Sequence, residues 1–149
     1  NRALFAFLFS AITIGTLSFL ELETPYGLFL AGSFGSSMVL LFGYPESPFA
    51  QPKNVFFGHF ITSLVGVLIL KFLPVDQFLQ IAIAVGLGIF VMILLNVTHP
   101  PAGGNPIVII LGAYSYNFLL NPIIFGSIII IIYAIILNRF ILKKNYPSN

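Results

Sequence analysis

The stretch Thr98-His99-Pro100-Pro101-Ala102-Gly103-Gly104-Asn105-Pro106 interrupts a run from Gln77 to Asn138 that contains no Asp, Glu, Lys or Arg. Its prolines forbid regular helix, because each removes a helical hydrogen bond and clashes with the preceding turn. The apolar flanks, 77–97 and 122–139, are each about 20 residues long, the length that crosses a hydrocarbon core of about 30 Å. Irregular backbone at that depth survives only where protein or a water-filled cavity surrounds it. The stretch therefore reads as a break inside a polytopic membrane protein and as a candidate wall of a polar passage.

Composition agrees. Charged residues make up 7% of the 149, against about a quarter in a soluble domain. Such a chain lacks the charge that keeps a water-facing exterior dissolved, so the bilayer is its solvent. Ile128 to Ile132 would look like strand in a soluble protein. In lipid the run must be helix, since the backbone has to satisfy itself, and the short alternating segments of a barrel are missing. No cysteine is present, which excludes disulfides and thiolate chemistry. A net charge of +2 gives no footprint for nucleic acid. The first apolar stretch has no small-residue cleavage site behind it and is expected to be a retained span.

Four segments, 3–20, 55–73, 77–97 and 122–139, are long enough to span. Asn121-Pro122, and more weakly Gln51-Pro52, resemble helix starts with an N-cap followed by proline at the first helical position. A second odd segment, 26–43, carries Ala31-Gly32-Ser33-Phe34-Gly35-Ser36-Ser37, poor helix in its first half. The two odd segments correspond: Gly35 to Gly43 aligns with Gly104 to Gly112 at an offset of 69, Gln51-Pro52 with Asn121-Pro122 at 70, and Phe57-Gly58 with Phe125-Gly126 at 68. The expected architecture is an all-α membrane protein, a single domain over 1–149, with four transmembrane helices, two short broken or re-entrant helices, and an internal two-fold repeat of about 3–73 and 77–139. Interrupted segments in matching places are a mark of secondary transporters, whose substrate site lies at the repeat interface.

Orientation follows from the basic residues. With re-entrant short segments, Arg2, Lys71, Arg139, Lys143 and Lys144 share one side and Lys53 lies on the other. If the short segments cross fully, Lys53 and Lys71 exchange sides and the bias is again five to one. Either way both termini are expected in the cytoplasm. Re-entry is the favoured arrangement, because 106–113 alone is too short to cross.

The helix starts expected near Ser36-Ser37-Met38 and Gly104-Asn105-Pro106 carry unpaired N–H groups and partial positive charge, which draws small anions without a buried cation. Gly35, Gly103 and Gly104 would let backbone approach a ligand, and Ser33, Ser36, Ser37 and Asn105 supply neutral donors. Gly and Ser serve close helix packing equally well. His59 and His99 have ordinary titration ranges near neutrality; His99 sits on the break, where it can donate to a passing anion or relay a proton. Glu46, Gln51, Lys53 and Asn54 form a loop expected at the mouth of the passage, with Lys53 collecting anions and Glu46 paired to it. Glu21 and Glu23 read as interface charges after the first span.

The run Gly32-Ser33-Phe34-Gly35-Ser36-Ser37, the loop Pro45-Glu46-Ser47-Pro48 with Ala50-Gln51-Pro52-Lys53-Asn54, the pair Gly58-His59 and the run His99-Pro100-Pro101-Ala102-Gly103-Gly104 closely resemble the HPP family of integral membrane proteins, over nearly the whole chain. The resemblance implies four spans, and it implies nitrite transport, with which cyanobacterial and chloroplast members are associated. On that basis the expected function is passage of a small inorganic anion, nitrite first, through a bacterial inner membrane of the cyanobacterial type. The expected substrate-binding set is His99, Pro100, Pro101, Gly103, Gly104, Asn105, Ser33, Gly35, Ser36, Ser37 and His59. Lipid and the anion are the expected partners, copies of the chain are expected to associate, and no cofactor, metal or nucleic acid is called for. Two alternatives stand beside transport. One is a structural or assembly subunit. The other, an intramembrane enzyme, is poorly equipped, with one Asp, three Glu, two His and no HExxH or GxSxG motif.

Overall fold

A computed structural model describes residues 1–148. All its regular elements are helical. Helix α1 (Arg2–Leu22), α3 (Pro52–Phe72), α4 (Gln77–Leu94) and α6 (Leu119–Ile141) are long and apolar enough to cross a membrane. Between them lie two shorter elements. One, α2 (Gly32–Gly43), is α-helical to Met38 and widens into a π-type turn from Val39. The other opens as a 3-10 turn, Pro100–Gly104, and continues as α5 (Asn105–Leu111). Helix α3 is central, with 44% of its apolar window buried against 17% for α1.

Side-chain contacts locate the ends of each element. Arg2, at the start of α1, is 2.6 Å from Glu46 in the loop that follows α2. Glu21, at the other end of α1, accepts from the Phe29 and Leu30 amides at 3.1 and 2.8 Å. The chain thus returns from the far face to the face of Arg2 through 28–43. In the second half, Asn54 Nδ2 donates to Thr98 O at 2.9 Å beside the start of α3, while Gln77 Nε2 lies 3.4 Å from Ile110 O at the start of α4. Segment 98–111 therefore runs the opposite way. Each broken element crosses the bundle rather than re-entering. The lead before each helix supplies the reach: extended backbone up to Ala31 before α2, and extended His99 followed by the 3-10 turn before α5, both of which rise more per residue than the roughly 1.5 Å of an α-helix.

Residues 1 and 148 both lie on the face of Arg2, here the proximal face. Arg2, Lys53, Arg139, Lys143 and Lys144 belong to it, and Lys71, stacked 4.8 Å over the Tyr116 ring, belongs to the distal face. Tyr146 OH donates to Ala50 O at 2.8 Å and Ser148 N to Gln51 Oε1 at 2.9 Å, so the tail is fastened over the 44–51 loop. Burial pushes the Tyr146 phenol up from its ordinary range.

Three local expectations change. Helix α2 begins at Gly32, a turn earlier than Ser36, because the break lies upstream: Ala31 is extended (φ −106°, ψ 139°) and Glu21 holds the amides before it. Once started, the helix is anchored by Phe34, Met38, Leu41 and Phe42 in the core with Ile109, Ile123 and Ile130. Asn121 interrupts α6 with extended backbone (φ −121°, ψ 118°), yet its Nδ2 donates to Tyr26 O at 3.2 Å instead of capping the helix. Glu21, read as an interface charge, is the clamp on the first break. Glu21→Ala is expected to leave two amides unpaired and to lower unfolding stability by about 1–3 kcal/mol, whereas Glu21→Gln retains most of it; thermal unfolding in detergent distinguishes the two.

Candidate functional site

The two breaks meet at α3. His59 lies two turns into that helix, fully buried, and His99 is fully buried on the second break, with ring centroids 4.9 Å apart. Proline restricts the residue before it to extended backbone, and His99 (φ −133°, ψ 99°) obeys, which turns its ring inward as Pro100 and Pro101 start the 3-10 turn. Gly58 permits the crossing: a Cβ there would stand 2.7 Å from His99 Cβ and 3.2 Å from Val97 O. Ser37 of α2 completes the meeting point, its Oγ 2.8 Å from His99 Nε2 and 3.0 Å from His59 Nε2.

Donor and acceptor capacity orders this network when both rings are neutral. Phe49 O can only accept, so His99 Nδ1 carries a hydrogen and donates to it at 2.7 Å. His99 Nε2 is then the acceptor, taking the Ser37 hydroxyl hydrogen in preference to Ser33 O at 3.1 Å. With that hydrogen used, His59 Nε2–H donates to Ser37 Oγ. His59 Nδ1 in turn accepts from Asn105 Nδ2 at 3.1 Å, and the same amide reaches Thr62 Oγ1 at 3.2 Å. The outcome is one directed chain, Asn105 to His59 to Ser37 to His99 to Phe49 O. It contains no carboxylate, Lys or Arg. Phe34 closes one side, edge-on to His59 at 5.0 Å.

On the proximal side Phe49 and Thr98 separate the network from a polar vestibule of about 570 Å³, lined by Glu46, Gln51, Lys53, Asn54, Asn96 and Thr98 among others. Glu46 pairs with Arg2, not Lys53, because α1 delivers Arg2 to the same loop. A backbone hydrogen bond, with Arg2 adding to it, holds the Glu46 carboxyl below its usual range. Lys53 is exposed and has no ion pair among the described residues.

Residues 1–147 match the family described as HPP, transmembrane region. The chain belongs to the HPP transmembrane family. It is 36% identical over 125 residues to one transmembrane protein of Dictyostelium discoideum and 35% identical over 127 residues to another. Those alignments take in 79% and 80% of this chain but 44% and 41% of the relatives, so the chain spans less than half their length. No solved structure matches it.

Within this HPP chain the expected binding residues divide by position. Ser33, Ser37, His59, His99 and Asn105 converge, although the Ser33 hydroxyl, 3.5 Å from His59 Nδ1, stands at the limit of a hydrogen bond. The rest do not join them. Ser36, Pro100, Pro101 and Gly104 line an outward crevice of about 580 Å³ between α2 and the 3-10 turn. Gly35 faces a groove against α1, and Gly103 has nothing within 4 Å of where a Cβ would stand. In a helix, residues one apart point to different faces, so a contiguous motif cannot deliver all its members to one site. Sequence reasoning missed Thr62, three residues from His59 on the same helical face, which that spacing could have found. It also missed Phe49, which acts through its carbonyl and leaves no trace in side-chain chemistry. Among the described residues no group of three or more His, Cys, Asp or Glu is placed to hold a metal.

Proposed function

We propose that this protein carries a small inorganic anion, nitrite first, across the membrane by way of the Ser37–His59–His99–Asn105 network. The observation that supports the reading most is the meeting of both broken elements on a buried set of neutral donors directly behind a vestibule with an unpaired lysine. An anion that displaces the Ser37 hydroxyl from His99 would find the Ser37 O–H and His59 Nε2–H side by side, while Asn105, bonded to His59 Nδ1 at the other end of the ring, holds that imidazole in the tautomer that donates from Nε2. Neutral donors hold an anion tightly enough to desolvate it and weakly enough to release it. Ser37 does bond an imidazole, but that ring is held by the Phe49 carbonyl and not by a carboxylate or a metal, which supports anion binding over hydrolysis. The five-to-one excess of basic residues on the proximal face supports a cytoplasmic position for that face under the positive-inside rule. Nitrite itself comes from the family resemblance.

Purified protein in liposomes is expected to pass nitrite, and His99→Ala or Asn105→Leu to reduce the flux about tenfold or more while the protein still elutes and melts as a folded species. Flux no greater than in empty vesicles, from correctly folded protein, counts against transport. Flux unchanged by both substitutions removes the network from the path.

A further inference from the structure

An offset of 68 residues relates several contacts of the two halves. Gly58 packs where a Cβ would meet Val97 O at 3.2 Å, and Gly126 packs where one would meet Phe29 O at 2.8 Å; the two glycines are 68 residues apart, and so are the two carbonyls. Helix α2 and the Pro100–Leu111 element start and end 68 apart. Ser37 and Asn105, which both bond His59, are 68 apart as well. The matched elements run through the bundle in opposite directions, as an inverted repeat requires.

The same offset relates two cavities on opposite faces. The distal face carries a smaller mouth of about 260 Å³, lined by Leu28, Tyr114, Asn117 and Asn121 among others. Subtracting or adding 68 turns these into Asn96, Glu46, Phe49 and Lys53, all of which line the proximal vestibule of about 570 Å³. The mouths differ in lining: Gln51 lines the proximal one, whereas its counterpart Leu119 does not line the distal one, and both side chains are buried. The halves also differ in chemistry: His59 corresponds to Ser127, a buried hydroxyl without a partner, and His99 to Ala31.

We infer that the protein has two mouths and one site. The larger vestibule faces the proximal side, separated from the imidazole pair by Phe49 and Thr98, and exchange of the two halves' conformations closes that vestibule and opens the Tyr114–Asn117–Asn121 mouth onto the same pair. Inverted repeats generate alternating access in this manner, because each half can adopt its partner's geometry. The inference deepens the transport reading and rests on it for the identity of the cargo.

The absence of native cysteine makes the test direct. In liposomes, Thr98→Cys reports the proximal mouth and Leu119→Cys the distal one once it opens, each probed with a membrane-impermeant thiol reagent from its own side. Ser115→Cys, on the distal rim, reports correct folding and insertion by reacting in every state. In the double variant, prior modification of position 98 by a bulky reagent should wedge the proximal side open and slow reaction at position 119 about tenfold relative to the single variant. Reaction at 119 that ignores the wedge, or that never occurs while Ser115→Cys is labelled, overturns the inference. Nitrite flux in the same vesicles separates the two claims: reciprocal labelling without flux removes nitrite but keeps the two mouths, and flux without reciprocity keeps transport and removes alternating access.

Discussion

Ser37→Ala is expected to reduce nitrite flux about 30- to 100-fold, the largest effect of any one-atom change in the protein. The hydroxyl is both the acceptor for His59 Nε2–H and the donor to His99 Nε2, at 3.0 and 2.8 Å. Without it two buried ring nitrogens face an apolar gap, and each unsatisfied group costs about 1–3 kcal/mol. Roughly 2 kcal/mol lost from the site corresponds to about a 30-fold change in rate. Ser37→Thr keeps the oxygen in place and should retain most of the flux, with the added methyl the only new demand on packing. Flux and melting temperature measured on both variants separate the site from the fold: a role in packing alone would lower the melting temperature of Ser37→Ala and leave the flux per folded protein unchanged.

The second large effect is steric. Gly58→Ala places a carbon 2.7 Å from His99 Cβ and 3.2 Å from the Val97 carbonyl. Those are main-chain-proximal atoms with no rotamer to escape into. The second break must move away from α3, which separates His99 from Ser37. Overpacking of this kind costs about 1–3 kcal/mol, and the displaced ring is expected to remove most of the flux even in protein that remains folded. Gly15→Ala is the control, since nothing lies within 4 Å of an added Cβ there. Alanine is a better helix former than glycine by about 1 kcal/mol, so that variant should melt at the same temperature or higher and transport normally.

The spans were legible because charge and proline punctuate them: Lys53, Lys71, Asp76 and Arg139 all fall within a few residues of helix ends. The breaks were legible too, for the prolines of 100–106 and the glycines of 32–35 have few other uses in an apolar chain. Their direction was not. Whether a short helix turns back or goes through depends on how far its extended lead reaches, and that depends on a clamp such as Glu21, nine residues from one of the amides it holds. The imidazole pair was half legible. His99 is flagged by its prolines, and His59 by lying in a span, but only the close crossing at Gly58 tells that the two rings meet. The partner of Glu46 was illegible for a similar reason. Sequence proximity favours Lys53, whereas the α1–α2 pairing delivers Arg2 from 44 residues away.

A density map of the protein in lipid nanodiscs at saturating nitrite tests the central claim most directly. The account predicts a bound anion within hydrogen-bond distance of Ser37 Oγ and His59 Nε2, with the direct bond from Ser37 to His99 broken to admit it. An unaltered Ser37–His99 bond, with nitrite absent from the imidazole pair in protein shown to transport it, would contradict the account.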